Sequence, residues 1–235
     1  MNKSNTLILF DVGGVLLRLD YGSFYKKAAE FSGETAEEFG SRYNESKLEY
    51  YALIGKVSAS QYIEKLRKLI GNNDLSDDGI RGVVSYCWPS QITENIELKR
   101  KLFQVGYNVG ILSNIYDLAL EIIAGKFPEV FETYETDAPR IYSFEVGAIK
   151  PNLDIYRFFD MYENVIFIDD KISYIEPGIS NFGWNGILFT PFIDNSESIR
   201  NIHRENIGQK NIGILVANSP EELKSRLCGL DITIK

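Results

Sequence analysis

Thr6-Leu7-Ile8-Leu9-Phe10-Asp11-Val12-Gly13-Gly14-Val15-Leu16 is the stretch on which the fold turns. A short uncharged run ends in a carboxylate and then in two glycines. A run of this length, closed by a glycine turn, reads as a strand buried on both faces. Its end delivers Asp11 to a turn where glycine lets the backbone come close to a ligand. A carboxylate presented in that way can attack phosphorus or hold a cation.

The same arrangement recurs twice. Asn108–Leu112 reads as a strand carrying Ser113-Asn114 at its end, and Val165–Ile168 is a nearly pure apolar run ended by Asp169-Asp170. Taken singly, Ser113-Asn114 is an ordinary helix cap and Lys150-Pro151 an ordinary loop. Asp169-Asp170 is stronger, because adjacent carboxylates at the end of a buried strand repel each other and a divalent cation removes that cost. Gly186–Phe189 reads as the last clear strand, and Arg140–Ser143 as a short one.

Helical patterns separate these runs. Ile96 to Phe103 is amphipathic and stops at Gly106; Leu118–Ile123 and Asp154–Met161 are helical; Ile175–Phe182 is a helix with Pro177 in its first turn. Ser219-Pro220-Glu221-Glu222 is a capping box, with Gly229 ending its helix. Strands alternating with helices predict an α/β fold: a parallel sheet with helices on both faces and ligands beyond the C-terminal strand ends. Tyr21 to Ile70 differs, being helical, polar and rich in tyrosine (Tyr21, Tyr25, Tyr43, Tyr50, Tyr51, Tyr62). One helix runs from Ala36 through Leu53 to a stop at Gly55, one starts at the Ser58/Gln61 capping box, and one covers Asp78 to Tyr86. Most of these tyrosines are expected to pack helices together, with one or two left to line a polar ligand.

Composition narrows the function. The 235 residues suit one large domain, or one core with a smaller inserted domain. A net charge of −8 disfavours nucleic acid and anionic membranes as partners, and means that an anionic substrate needs local positive charge. Two distant cysteines, Cys87 and Cys228, offer no disulfide framework and fit a reducing cytoplasm. The apolar run before Asp11 is too brief for a secretory signal, and no stretch approaches a membrane span. Oligomeric state is not readable, and Pro191–Lys210 is polar and irregular, with no assigned job.

As an ordered set, these pieces resemble the signature of the haloacid dehalogenase-like hydrolase superfamily, over residues 6 to about 190. Asp11 through Leu16 (D-V-G-G-V-L) is similar to its first motif and Ile111-Leu112-Ser113-Asn114 to its second. Lys150-Pro151 with Ile155-Tyr156 is similar to the third, and Phe167-Ile168-Asp169-Asp170 to the fourth. Within the superfamily the chain looks closest to the sugar-phosphate phosphatase-like branch with D-x-G-G-V or D-x-G-N-V. The resemblance implies a Rossmann-like core (residues 1–17 and 91–235) and an all-helical cap domain (18–90) that sets specificity. It implies Mg²⁺-dependent hydrolysis of a small phosphorylated metabolite, such as a sugar phosphate, through an aspartyl-phosphate on Asp11. Mg²⁺ would bind Asp11, the Gly13 carbonyl and Asp170, with Asp169 orienting metal-bound water or joining the shell. Ser113 Oγ, the Asn114 N–H and the turn N–H groups of Val12 and Gly13 would bind phosphate oxygens. Lys150 would neutralise Asp11 and the transferring group.

Two positions depart from the pattern. Many phosphatases of the superfamily carry a second Asp where this chain has Gly13, and that Asp serves as acid and then base. The departure implies slow turnover, a good leaving group, or an acid from the cap, with His203 and cap Tyr and Glu residues as candidates. Tyr174 stands where an Asn often braces the metal loop. Arg18, at the expected cap hinge, is read either as an anion contact or as a solvated residue. The alternatives are a catalytically weakened protein that binds a phosphometabolite or protein partner without efficient turnover, and a 2-haloacid dehalogenase. The latter branch carries Tyr at the position of Gly13 and has little use for Asp169-Asp170.

Overall fold

The computed structural model describes residues 3–132, 139–191 and 213–234. Its centre is the first run of the sequence. Strand β1 (Thr6–Phe10) is fully buried and lies in the middle of a six-stranded sheet. The others are β2 (Asn108–Ser113), β3 (Arg140–Tyr142), β4 (Asn164–Asp169), β5 (Asn185–Phe189) and β6 (Ile214–Ala217). Their order is β3-β2-β1-β4-β5-β6, and every pairing is parallel. The sheet order reverses at β1, with β2 on one side and β4 on the other, so a crevice opens there at the C-terminal strand ends.

The period of two along each strand divides the core. Ile8, Phe10, Ile111, Ile166 and Ile168 face one side, where α6 (Thr93–Gln104), α7 (Asp117–Lys126) and α10 (Pro220–Gly229) pack. Leu7, Leu9, Val165 and Phe167 face the other, against α9 (Ile172–Phe182) and the buried Tyr156 and Phe159. The fold is thus the expected α/β sandwich.

Between β1 and α6 the chain forms five helices: α1 (Tyr21–Ser32), α2 (Ala36–Ser46), α3 (Leu48–Leu53), α4 (Ala59–Ile70) and α5 (Asp77–Ser85). The Ser58/Gln61 capping box starts α4 with both reciprocal hydrogen bonds. Tyr43 and Tyr62 are buried packing residues, as the aromatic content implied, whereas Tyr50 and Tyr51 are exposed. The five helices share one continuous buried cluster with the sheet face that carries Ile8 and Phe10. Tyr62 of α4 stacks on Tyr116, just before α7, with ring centroids 4.7 Å apart, and the Ala59 N–H donates to Asp117 Oδ2 of α7 at 3.2 Å.

Several local expectations need correction. The helix read from Ala36 to Leu53 is two, broken at Lys47, whose φ of 53° is left-handed. Ser46 Oγ donates to Tyr43 O and accepts from Leu48 N there, so its hydroxyl competes with the helix ladder. Asp154–Met161 is not an α-helix but two 3₁₀ turns, Leu153–Ile155 and Arg157–Phe159. The buried Tyr156 and Phe159 are three residues apart, a spacing that a 3₁₀ turn serves directly. Pro177 is the sixth residue of α9, not part of its first turn. Asp169 Oδ1 accepts from Lys171 N at 2.8 Å and sets the start of that helix early. Glu222 does not close a capping box on Ser219; its carboxylate reaches back one residue further, to Asn218 N, at 2.9 Å. Strand β6 lies beyond the one read as last; it is a four-residue edge strand whose first two residues are only half-buried. Most of Pro191–Lys210, including His203, lies outside the described residues. Among the described residues no helix is long and apolar enough to cross a membrane.

Close packing of α9 on β5 gives a stability test. A Cβ at Gly186 would sit 2.2 Å from Ile175 Cγ2 and 2.9 Å from Ile179 Cδ1. Gly186→Ala is expected to lower stability by about 1–3 kcal/mol, read as a lower urea midpoint at unchanged m-value.

Candidate active site

Asp11, Ser113 and Asp169 all emerge at the C-terminal ends of three adjacent strands, β1, β2 and β4. Lys150 comes from the segment after α8 (Ser143–Val146) and is joined to Pro151 by a cis peptide bond. Its ammonium is fully buried. It lies 2.6 Å from Asp169 Oδ2 and 3.1 Å from Asp11 Oδ1, and donates to Leu112 O at 3.0 Å. The Asn114 side chain grips the Lys150 backbone at both ends, accepting from its N–H at 2.8 Å and donating to its carbonyl at 3.0 Å. Burial alone would lower the lysine's proton affinity, but the charges of Asp11 and Asp169 and the hydrogen bond to Asp169 outweigh it. The ammonium therefore keeps its proton.

Three carboxylates surround this one cation. Oxygens of Asp11, Asp169 and Asp170 lie within 4.8 Å of one another. Burial pushes the Asp169 carboxyl well above its usual range; the Lys150 charge opposes this, while Asp11 and Asp170 add to it. Burial and the Asp11 charge likewise raise Asp170. The cluster is thus over-supplied with negative charge, and Asp11 Oδ1 is a buried oxygen with no aligned hydrogen-bond donor. Hard carboxylate oxygens in that state suit a divalent cation. Asp11 and Asp170 have oxygens to offer one, whereas both Asp169 oxygens are engaged, by Lys150 Nζ and Lys171 N.

The turn after β1 wraps this cluster closely. Gly14 has a φ of +81°, and a Cβ there would fall 2.5 Å from the Asp170 carboxylate, so both the turn and the contact require glycine. Among the described residues the N–H groups of Val12, Gly13 and Asn114, and Ser113 Oγ, make no hydrogen bond. Donors without partners beside a carboxylate form an anion cradle. All four of these residues line a cavity of about 100 Å³ together with Asp11 and Asp170.

The same cavity is lined by residues that the motif pattern did not single out. Glu49 of α3 and Tyr21 of α1 come from the helical insert, and Lys171 follows Asp170 directly. Tyr21 Oη donates to Glu49 Oε1. Burial raises the Glu49 carboxyl, and the Tyr21 hydrogen bond and the Lys171 charge pull it partly back. Lys171 carried a signal, its place beside the paired aspartates; Glu49, inside Leu48-Glu49-Tyr50-Tyr51, carried none. Lys150 and Lys171 supply the local positive charge that an acidic chain needs to take an anion. Tyr174 also lines the cavity, and its ring centroid is 5.1 Å from both lysine Nζ atoms. Arg18 is exposed and does not line the cavity.

No protein-family model matches the sequence, and no curated protein matches it. Solved structures do. A haloacid dehalogenase (HAD) family enzyme from Bacteroides thetaiotaomicron superimposes with a TM-score of 0.68 at 20% identity, covering 84% of this chain and all of that one. The same enzyme in complex with magnesium and inorganic phosphate gives 0.67 at 20% identity over 83% of this chain and 99% of that one. An L-2-haloacid dehalogenase from Xanthobacter autotrophicus gives 0.58 at 18% identity over 97% of this chain and 99% of that one. At these identities the likeness establishes a shared fold.

Two outcomes follow from the charge balance. Lys150→Met strands Asp11 and Asp169 without their cation and is expected to destabilise the protein by about 3–5 kcal/mol in urea unfolding. With a chelator present, stability should fall as pH rises from about 4 through the raised titrations of Asp169 and Asp170. In that window the native state still holds protons that the unfolded carboxylates have released, and it loses that advantage as they leave. Urea midpoints measured at about pH 5 and about pH 7.5 check the sign, and Asp170→Asn should flatten the difference.

Proposed function

We propose that the protein belongs to the haloacid dehalogenase-like superfamily and is a Mg²⁺-dependent phosphatase of a small phosphorylated metabolite, working through an aspartyl-phosphate on Asp11. The observation that carries this reading is the placement of Asp11 between a buried ammonium, the carboxylate pair Asp169 and Asp170, and a set of N–H donors without partners among the described residues. The magnesium and phosphate found in the Bacteroides enzyme of the same fold support it.

In this reading Asp11, Asp170 and the Gly13 carbonyl hold Mg²⁺, and Asp169 acts on the site through Lys150. The bound ion supplies positive charge to the phosphoryl oxygens. Asp11 attacks phosphorus in line. Ser113 Oγ and the N–H groups of Asn114, Val12 and Gly13 hold the equatorial oxygens, and Lys150 offsets the charge of nucleophile and phosphoryl group. Helices α1–α5 are the cap, residues 18–90, over a core of 1–17 and 91–235, and cap residues Tyr21, Glu49 and Leu53 line the cavity together with the core's Asp11 and Asp170. Two free cysteines, one buried and one exposed, fit a reducing cytoplasm. The haloacid dehalogenase alternative is disfavoured by the acidic cluster, in which three carboxylates share the single Lys150 ammonium and a metal-free dehalogenase would leave the excess negative charge uncompensated.

Phosphate release from a panel of small phosphomonoesters should require Mg²⁺, stop with chelator and fall to background in Asp11→Asn. Chloride release from 2-chloropropionate without metal would overturn the reading, as would equal phosphatase activity in the mutant.

A further inference from the structure

This inference rests on the phosphatase reading. When Asp11 displaces an alcohol from phosphorus, the departing oxygen takes the bonding electron pair and needs a proton. Gly13 has no side chain to give one. Three acidic residues line the cavity: Asp11, Asp170 and Glu49. The first two belong to the nucleophile and cation group. Glu49 stands outside that group and comes from α3, in the helical segment between β1 and α6.

Glu49 is held in a set orientation. Tyr21 Oη donates to Oε1, while Oε2 makes no hydrogen bond among the described residues. Burial keeps the Tyr21 phenol protonated and able to donate to Oε1, which leaves Oε2 to carry the acidic proton. Around it, Tyr25, Tyr43, Tyr62, Tyr116 and Cys87 are held neutral by burial, and Lys171 is the facing cation. Burial raises the carboxyl itself, which keeps the acid form populated nearer neutrality.

We propose that Glu49 is the general acid, and then the general base, of this active site. In the first step Asp11 forms the bond to phosphorus, the bond from phosphorus to the ester oxygen breaks, and that oxygen receives the Glu49 Oε2 proton. An alcohol and a glutamate result. In the second step water attacks phosphorus and gives its proton to Glu49, the bond from phosphorus to Asp11 breaks with its electrons returning to Asp11, and phosphate leaves. The enzyme is restored. The cavity that Glu49 shares with Asp11 and Asp170 is where the alcohol portion of the ester would sit.

Two substrates of matched size separate this role from a structural one: ethyl phosphate, whose alkoxide needs a proton, and acetyl phosphate, whose carboxylate does not. With Mg²⁺ present, wild type is expected to hydrolyse both. Glu49→Gln should lose at least about 100-fold in kcat/KM on ethyl phosphate and less than about threefold on acetyl phosphate. Equal losses on both substrates, or no loss on ethyl phosphate, overturn the role of Glu49 while leaving the phosphatase standing. So does a wild-type enzyme that accepts acetyl phosphate alone. Release from neither substrate by wild type overturns this inference, and the phosphatase reading with it where the phosphomonoester panel is blank as well. Should Glu49→Gln fail to fold in a thermal melt, wild type decides across ethyl, phenyl and acetyl phosphate: a shallow dependence of kcat/KM on leaving group supports the acid, and a steep one overturns it.

Discussion

The buried ammonium of Lys150 is the contact on which the site depends. It ties the ends of three strands together, reaching the carbonyl of Leu112 on β2, the carboxylate after β1 and Asp169 on β4. A lone ammonium in that position would be pushed by desolvation to lose its proton, and Asp169 would be driven further toward its neutral form without it. Each stabilises the other's charge, so the ion pairs hold only while the strand ends keep their register. The side chain of Asn114 contributes by fixing the backbone of the lysine rather than its charge.

The arithmetic of this cluster also divides labour among the acids. Asp169 spends both oxygens on Lys150 and on the start of α9, so it orients the lysine and the helix that follows. Asp170 presses against Gly14, and Asp11 retains an oxygen without an aligned donor. The adjacent aspartates of the sequence are therefore not equivalent: one is an internal support, and the other faces the cavity.

The sheet and the convergence of Asp11, Ser113, Lys150 and the paired aspartates were legible in the sequence. Short apolar runs buried on both faces announce parallel strands, and a polar residue closing such a run lies at the C-terminal end of its strand, where the crevice opens. What was not legible depended on partners distant in sequence. The break at Lys47 follows from one serine hydroxyl, and the early start of α9 from a carboxylate three residues before it. Edge strand β6 is short and half-buried, so its run is weak. Glu49 belongs to an ordinary amphipathic helix, and only the way α3 meets the strand ends brings it to the cavity.

Buried side chains run without a break from the sheet into α1–α5, and the stacked rings of Tyr62 and Tyr116 lie on that seam. Gly55, before α4, approaches Phe144 so closely that a Cβ would sit 2.3 Å from its carbonyl oxygen. Swinging the five helices away as a rigid flap would wet this apolar seam all at once. Traffic into the chamber is accordingly favoured by small local excursions of the chain around it, and a gene segment encoding these helices could not be exchanged for a bulkier one without recutting the surface beneath.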